Sequence, residues 1–431
     1  MEELPIALIG AGPMGLACAR VLGQQGLAFQ GFELHSDVGG LWDIEGPRST
    51  MYASAHLISS KTRTQFRDFP MDPQVADYPS HRVLKAYFRA FADRFDLRRH
   101  FRFGAEVLRC EPEPQGGWRV VWRAAGEEHE GRFSAVMIAN GTLSEPNLPR
   151  FPGTFTGELI HSAQYRHPDQ LRGKRVLVVG GGNSGCDIAV DAVHHATSAD
   201  LSLRRGYHFV PKYLFGRPAD TIGGAIRLPM ALKRRIDGAI LRWFTGDPQR
   251  LGFPAPDHKL YESHPVVNSL AIFHAGHGDI TLRPDLARFD GAGAQFTDGS
   301  RADYDLVIAA TGYRLHYPFI DRDLLNWQGA APHLFLNCLH PARDDLFVMG
   351  MVEATGLGWQ GRHDQAELVA RYIRGLREGH PAAAAIRAEK AAGYDRVTGG
   401  LHYVDLPRMA YYVERHAYLA EISKRIKALG G

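Results

Sequence analysis

With 431 residues, 45% hydrophobic and 23% charged, the chain has the composition of a globular protein of two to three domains with ample material for a large core. A net charge of +3 without a basic tract excludes the electrostatic footprint of nucleic-acid binding. Four scattered cysteines (Cys18, Cys110, Cys186, Cys338) without a CxxC pair exclude a zinc site and a redox dithiol, and they suit a reducing, cytoplasmic setting. The first residues lack a signal peptide's basic and apolar regions, and no apolar run approaches a membrane span.

In chain order, Pro5 to Ile9 reads as a strand that breaks into Gly10-Ala-Gly12-Pro13-Met-Gly15 and a small-residue helix, Leu16 to Gln24, closed by Gly26. Glycines at this spacing let backbone N–H groups approach a pyrophosphate at a helix N-terminus. The next expected strand, Ala28 to Leu34, places Glu33 where an acid accepts from a ribose 2′-hydroxyl. An alternating region from Trp118 to Phe133 follows, and then the strand Ala135–Ala139 ends at Asn140-Gly141.

The pattern then recurs. Arg175 to Val179 runs into Gly180-Gly-Gly182-Asn183-Ser184-Gly185 and a helix from Cys186. Here the strand Asp200–Leu203 ends in Arg204 and Arg205, where a guanidinium meets a 2′-phosphate and so prefers NADPH to NADH. A second alternating region, Ile280 to Phe296, leads to the strand Asp305–Ala310 and to Thr311-Gly312. The spans Gly10 to Gly141 and Gly180 to Gly312 differ by one residue, which favours two copies of one architecture. Opposite charges at equivalent reader positions imply two different dinucleotides, one with free hydroxyls, as in FAD, and one with a 2′-phosphate.

The expected fold is α/β, with two Rossmann-like dinucleotide-binding domains and the second inserted into the first. The first would comprise residues 1–160 and 301–431, the second residues 161–300 with an insertion at about 216–265. Within that insertion Leu232, Ile236, Ile240, Trp243 and Phe244 share a helical face, with Lys233, Arg234, Arg235 and Arg242 off it. Such a helix is expected to pack its apolar face on its own protein, the alternative being peripheral contact with a membrane through residues 230–244. A helix near Gln365 to Glu378 and a polar C-terminal tail end the chain. No metal cluster, Ser-His-Asp arrangement or carboxylate pair stands out, which suits an enzyme whose cofactor carries the chemistry. Cys18 and Cys186 are expected as buried packing residues, and His56 as structural or solvent-facing.

One stretch narrows the field. Phe155-x-Gly157-x-x-x-His161-x-x-x-Tyr165 resembles the signature of flavin-containing monooxygenases, and Gly182-Asn-Ser-Gly-Cys-Asp-Ile-Ala189 is similar to that family's second fingerprint. Gly39-Gly-Leu-Trp42, Phe66-Arg-Asp-Phe-Pro70 and Ala310-Thr-Gly-Tyr313 resemble further family segments in the expected order. Baeyer–Villiger relatives typically end the signature in tryptophan, whereas Tyr165 followed by Arg166 favours the amine- and sulfide-oxidising branch. The resemblance implies FAD held by Gly10, Gly12, Pro13, Gly15 and Glu33. Gly40, Leu41 and Trp42 would then lie along the flavin, and Val107 near the adenine. Ser59 and Ser60 would lie between flavin and nicotinamide. Gly180, Gly182, Asn183, Ser184, Gly185, Cys186 and Asp187 would cradle the NADPH phosphates, with Arg204 and Arg205 on the 2′-phosphate and Thr311 nearby. His161 and Tyr165 resemble linker residues that orient one domain on the other.

The implied reaction is NADPH- and O₂-dependent oxygenation of an amine nitrogen or sulfide sulfur through a C4a-hydroperoxyflavin, by an enzyme that could form a homodimer. Alternatives are Baeyer–Villiger oxidation of a ketone, an uncoupled NADPH oxidase, and a flavin-binding sensor. One departure bears on coupling: the family usually has asparagine six residues beyond the tyrosine at Tyr52, and here Ile58 cannot donate a hydrogen bond. Either Ser59, Ser60, His56 or bound NADP⁺ would take over, or the peroxyflavin would be shorter-lived and more NADPH would be lost as hydrogen peroxide.

Overall fold

A computed structural model describes residues 4–222 and 228–431; residues 223–227 of the expected insertion lie outside the described residues. The first strand, β1 (Ile6–Ile9), is wholly buried, as an apolar run must be in a parallel sheet covered on both faces. Helix α1 (Pro13–Gln24) follows with proline in its first turn, and its residues Met14 to Leu22 are all buried. Strand β2 (Phe29–Glu33), helix α2 (His81–Arg94) and β3 (Phe101–Phe103) come next. Strands β4 (Ala105–Pro112), β5 (Trp118–Ala124) and β6 (Glu127–Phe133) form an antiparallel sheet of their own, and β7 (Ala135–Ile138) returns to the first sheet.

The second sheet opens earlier than expected. Strands β8 (Gly153–Phe155) and β9 (Glu158–His161) already pair with later strands of the second unit. Strand β10 (Arg175–Val179), helix α3 (Asn183–His195) and β11 (Ser198–Ser202) repeat the opening of the chain. Past the insertion helix α4 (Met230–Thr245), α5 (Leu270–His277) leads to β12 (Ile280–Arg283). Strands β13 (Leu286–Gly291), β14 (Gly293–Phe296) and β15 (Arg301–Asp303) form a second antiparallel sheet with β8 at its edge, and β16 (Leu306–Ala309) closes the unit. The boundary expected at 160/161 falls inside β9, and the one at 300/301 falls between β14 and β15, ahead of β16 of the same unit. Short edge strands such as β8 leave no periodic signal to mark them.

Only β17 (Leu346–Val348) completes the first sheet, so the second unit is inserted into the first. The two parallel sheets have matching strand orders, β17-β7-β1-β2-β3 and β9-β16-β10-β11-β12, each with its glycine-turn strand in the middle. The layers match as well. One face of the first sheet packs on α1 and α2, while Trp118, Trp122 and Phe133 of the antiparallel sheet cover the other. In the second unit α3 and α5 cover one face, and Phe289 and Phe296 the other.

Two expectations are corrected at the periphery. The C-terminal region is no polar tail: α6 (Gly358–Arg377), α7 (Pro381–Ala392) and α8 (Arg415–Ala428) follow one another, and Ile386, Tyr418 and Ile422 bury into the first core. Helix α4 does not pack its apolar stripe inward. It has no fully buried residue, Trp243 is 87% exposed, and Leu232, Ile236 and Phe244 also face solvent. Its inner side is held instead by Arg234, which donates to Glu262 (2.8 Å) and to the Leu260 carbonyl. Among the described residues no helix is long and apolar enough to cross a membrane.

Candidate functional site

The two glycine turns superpose in their constraints. Gly10 and Gly180 have φ of +105° and +113°, where a side chain is strained. A methyl at Gly15 would lie 1.8 Å from the Gly10 carbonyl oxygen, and one at Gly185 would lie 1.8 Å from that of Gly180. Those glycines therefore serve the fold, letting helix and strand touch. The middle glycines differ: Gly182 has no atom within 4 Å of where a Cβ would stand, and Gly12 meets only the Gly40 backbone, at 3.5 Å. The open space over the first turn of α1 and α3 is what a pyrophosphate needs, and neither helix has a side-chain cap or an acidic residue competing there. Both turns thus fit a dinucleotide. Pro13, at the start of α1, removes one unsatisfied N–H.

The residues expected to read the two riboses sit in different surroundings. Glu33 is buried at the end of β2, where its Oε2 accepts from Ala11 N–H in the glycine turn (2.5 Å) and its Oε1 from His35 N–H (2.8 Å). Burial pushes its carboxyl above the usual range, opposed by those backbone donors. It therefore braces the turn while keeping lone pairs for a hydroxyl. In the second unit Arg204 is exposed and forms no ion pair among the described residues. Arg205 is committed: it donates to Asp257 (2.6 Å), so its charge is largely answered.

Around the first turn, Gly40 (φ +57°) sits against Gly12, and Leu41 and half-buried Trp42 follow, Trp42 meeting Trp359 edge-on. Val107 is buried in β4 opposite Trp122. Half-buried Ile58 precedes Ser59, whose hydroxyl pairs with Thr64 (2.7 Å), and Ser60, whose N–H donates to Asp220 Oδ2 (2.7 Å). His56 is exposed. Thr311 donates to the Asn147 carbonyl. Asn183, Cys186 and Asp187 turn their side chains into the protein, which limits any part in the second cradle to their backbone. Asn183 clasps the 265–267 loop, accepting from Val267 N–H (2.7 Å), and Cys186 is a fully buried thiol whose pKa burial pushes up. Asp187 accepts from Tyr52 (2.9 Å) and Asn268 (2.7 Å), and burial pushes its carboxyl up.

The signature residues are tied within the second unit, and Tyr165 also faces the Tyr52 ring of the first. His161, 2% exposed, accepts from Ala163 N–H at Nδ1, so its proton sits on Nε2 and is donated to the Gly312 carbonyl (3.0 Å). Burial lowers its pKa and keeps it neutral. Tyr165, fully buried, donates to Asp191 (2.8 Å). Sequence reasoning missed Asp191, Ser54, Asp220, Lys212 and Tyr78. Asp220 lies in the stretch read as a patternless insertion and Lys212 just ahead of it, yet both meet the first unit. Arg63 donates to the Asp220 carbonyl (2.9 Å), and Tyr78 to that of Lys212. Partners so far apart in sequence leave no local signal. Asp191 had one, being a turn beyond Asp187 on the same helical face.

Comparisons with known proteins agree with this geometry. The family model described as FMO-like, flavin-binding monooxygenase-like, matches residues 4–428. Flavin-containing monooxygenase 2 of Homo sapiens is 32% identical over 396 residues, covering 86% of this chain and 73% of that protein. Flavin-containing monooxygenase 1 of Mus musculus is 30% identical over 392 residues, covering 86% and 74%. Among solved structures, S-allyl-L-cysteine S-oxygenase from Allium sativum shares the fold with a TM-score of 0.68 at 19% identity, over 99% of this chain and 89% of that one. An open structure of cyclohexanone monooxygenase also shares it, with a TM-score of 0.70 at 21% identity, over 90% and 92%.

Proposed function

Because the chain belongs to the flavin-binding monooxygenase-like family, as a flavoprotein monooxygenase using FAD and NADPH, we propose that it transfers one atom of O₂ to a soft nucleophile, an amine nitrogen or a sulfide sulfur. The observation that carries this reading is the contrast between two matching glycine turns, one ending at buried Glu33 and the other at unpaired Arg204. The bound flavin supplies the redox and oxygen chemistry. Of this chain's residues, Gly12 and Gly182 leave room for the two pyrophosphates, Glu33 and Arg204 tell the two riboses apart, and Leu41, Trp42 and Ile58 wall the flavin side. Ile58 presents no donor there, and Ser59 is turned to Thr64, so any hydrogen bond to the reacting oxygen falls to another group.

Turnover under labelled O₂ with an amine, a sulfide and a cyclic ketone, analysed by mass spectrometry, tests this. An N-oxide or sulfoxide carrying one labelled atom is the expected product. An ester from the ketone alone would make the enzyme a Baeyer–Villiger oxygenase, and peroxide equal to NADPH consumed, without product, would make it an oxidase. The exposed stripe of α4 supports a second reading, peripheral association with an anionic membrane surface, since Arg235 and Arg242 flank it and form no ion pair among the described residues. Four free, buried thiols suit a reducing compartment.

A further inference from the structure

Helix α3 carries two carboxylates, Asp187 and Asp191, one turn apart on one face. At that spacing like charges repel, and neither forms a salt bridge with a lysine or arginine among the described residues, although Lys212 lies near enough to favour the charged form of Asp187. Each instead accepts from two uncharged donors. Asp187 takes the Tyr52 hydroxyl (2.9 Å) and the Asn268 amide (2.7 Å); Asp191 takes the Ser54 hydroxyl (2.5 Å) and the Tyr165 hydroxyl (2.8 Å). Tyr52 and Ser54 come from the first unit's chain, whereas Tyr165 lies inside the second unit between β9 and β10, so each acid takes one hydroxyl from the first unit.

The backbone of that loop is tied as well. Ala53 N–H donates to the Arg166 carbonyl (2.8 Å), and the Arg166 guanidinium donates to the Met51 carbonyl (3.0 Å). Tyr52 and Tyr165 are 5% and 0% exposed, with rings 5.7 Å apart. Directional bonds in a dry environment fix orientation in a way that a screened surface ion pair does not. Asp187 lies two residues past the second cradle's last glycine, and Tyr52 lies just ahead of Ile58 to Ser60 on the flavin side. The tie therefore links the helix that opens the second cradle to the loop leading into Ile58 to Ser60.

We propose that Asp187 and Asp191 are positioning residues, a paired latch that sets the NADPH cradle against the flavin-side loop and so fixes the geometry of hydride transfer. This rests on the FAD and NADPH reading given above. Small misplacements of reacting groups cost rate far more than they cost affinity.

The test is anaerobic stopped-flow reduction of the FAD holoenzyme by NADPH in Asp191→Asn, Tyr165→Phe, Tyr52→Phe and Asp187→Asn, with melting temperature measured on the same samples. Asp191→Asn is expected to lower the limiting reduction rate about 10-fold or more, with the NADPH Kd within about 3-fold of wild type. Tyr165→Phe should lower the same rate, and Tyr52→Phe combined with Asp187→Asn should do less than the product of the two single changes, since both remove the contact they share. An unchanged reduction rate, a loss carried wholly by Kd, or a loss explained by unfolded protein would each overturn the latch. A wild-type holoenzyme left oxidised by NADPH would overturn the cofactor reading itself, and the latch with it.

Discussion

Arg204 and Arg205 are neighbours in sequence, but the fold leaves them different work. Arg205 reaches Asp257 and spends its charge there, while Arg204 stays exposed and unpaired at the end of β11. A charge-assisted hydrogen bond is worth about 1.5–3 kcal/mol, so Arg204→Ala should raise the NADPH KM roughly 10- to 100-fold. The NADH KM should hardly move, because that coenzyme has no 2′-phosphate to lose. Arg205→Ala should have a smaller effect on NADPH. Steady-state kinetics with both coenzymes measures this, and an equal change for the two would remove the phosphate-binding role. The basic pair was legible from its spacing after the glycine turn. The division of labour was not, since it depends on an acid brought in from 52 residues away.

Helix α4 shows the same limit one level up. Its periodicity was plain in sequence, but a stripe of Leu232, Ile236, Trp243 and Phe244 specifies amphipathicity without saying which side meets the protein. The deciding contacts are polar: Arg234 on Glu262 fastens the opposite side, and Lys233 and Asp237 pair with each other and with the Tyr261 hydroxyl. Phe215, 71% exposed, packs edge-on against Phe244 and widens the apolar patch. Aromatic rings with arginines beside them match an interface between acyl chains and anionic headgroups. The protein is therefore expected to sediment with vesicles of mixed phosphatidylcholine and phosphatidylserine, less so as salt screens the arginines. Each buried ring contributes roughly 1.5–3 kcal/mol, so Phe215→Glu with Trp243→Glu should abolish the association. A protein that ignores vesicles but dimerises until those residues are changed would show that the face meets a second copy.

For the whole molecule, the duplicated sheets were legible because their glycine turns are local necessities: no side chain fits at Gly15 or Gly185, so the pattern survives in both copies. The boundaries and the C-terminal helices were not, because they depend on edge pairing at β8 and on the burial of Tyr418 and Ile422 against a core assembled elsewhere. The charge state of that assembled interior yields one further expectation. His340 is buried with its Nδ1 accepting from Ala342 and Arg343 N–H (3.1 and 3.0 Å), and burial, with Lys390 and Arg343 nearby, lowers its pKa to about 4. Burial also lowers His81 and His161. In the unfolded chain these imidazoles take a proton near pH 6.5 that the fold refuses. Their contribution is thus fully present above pH 6.5 and is lost as pH falls toward 4, because the unfolded state then binds more protons. Glu33 and Asp187, raised by burial, have the opposite sign: what they contribute is present at acid pH and lost as pH rises through their raised values. Below pH 4, acids held low by arginines, such as Asp68 beside Arg20, add to the acid loss. Melting temperature measured against pH should therefore begin to fall near pH 6.5, above the carboxylate range. His340→Gln, which keeps an acceptor for the two N–H groups without a titrating ring, should make that early decline shallower. A melting temperature flat down to pH 4.5 in the wild type would show that the buried imidazoles are protonated in the fold after all.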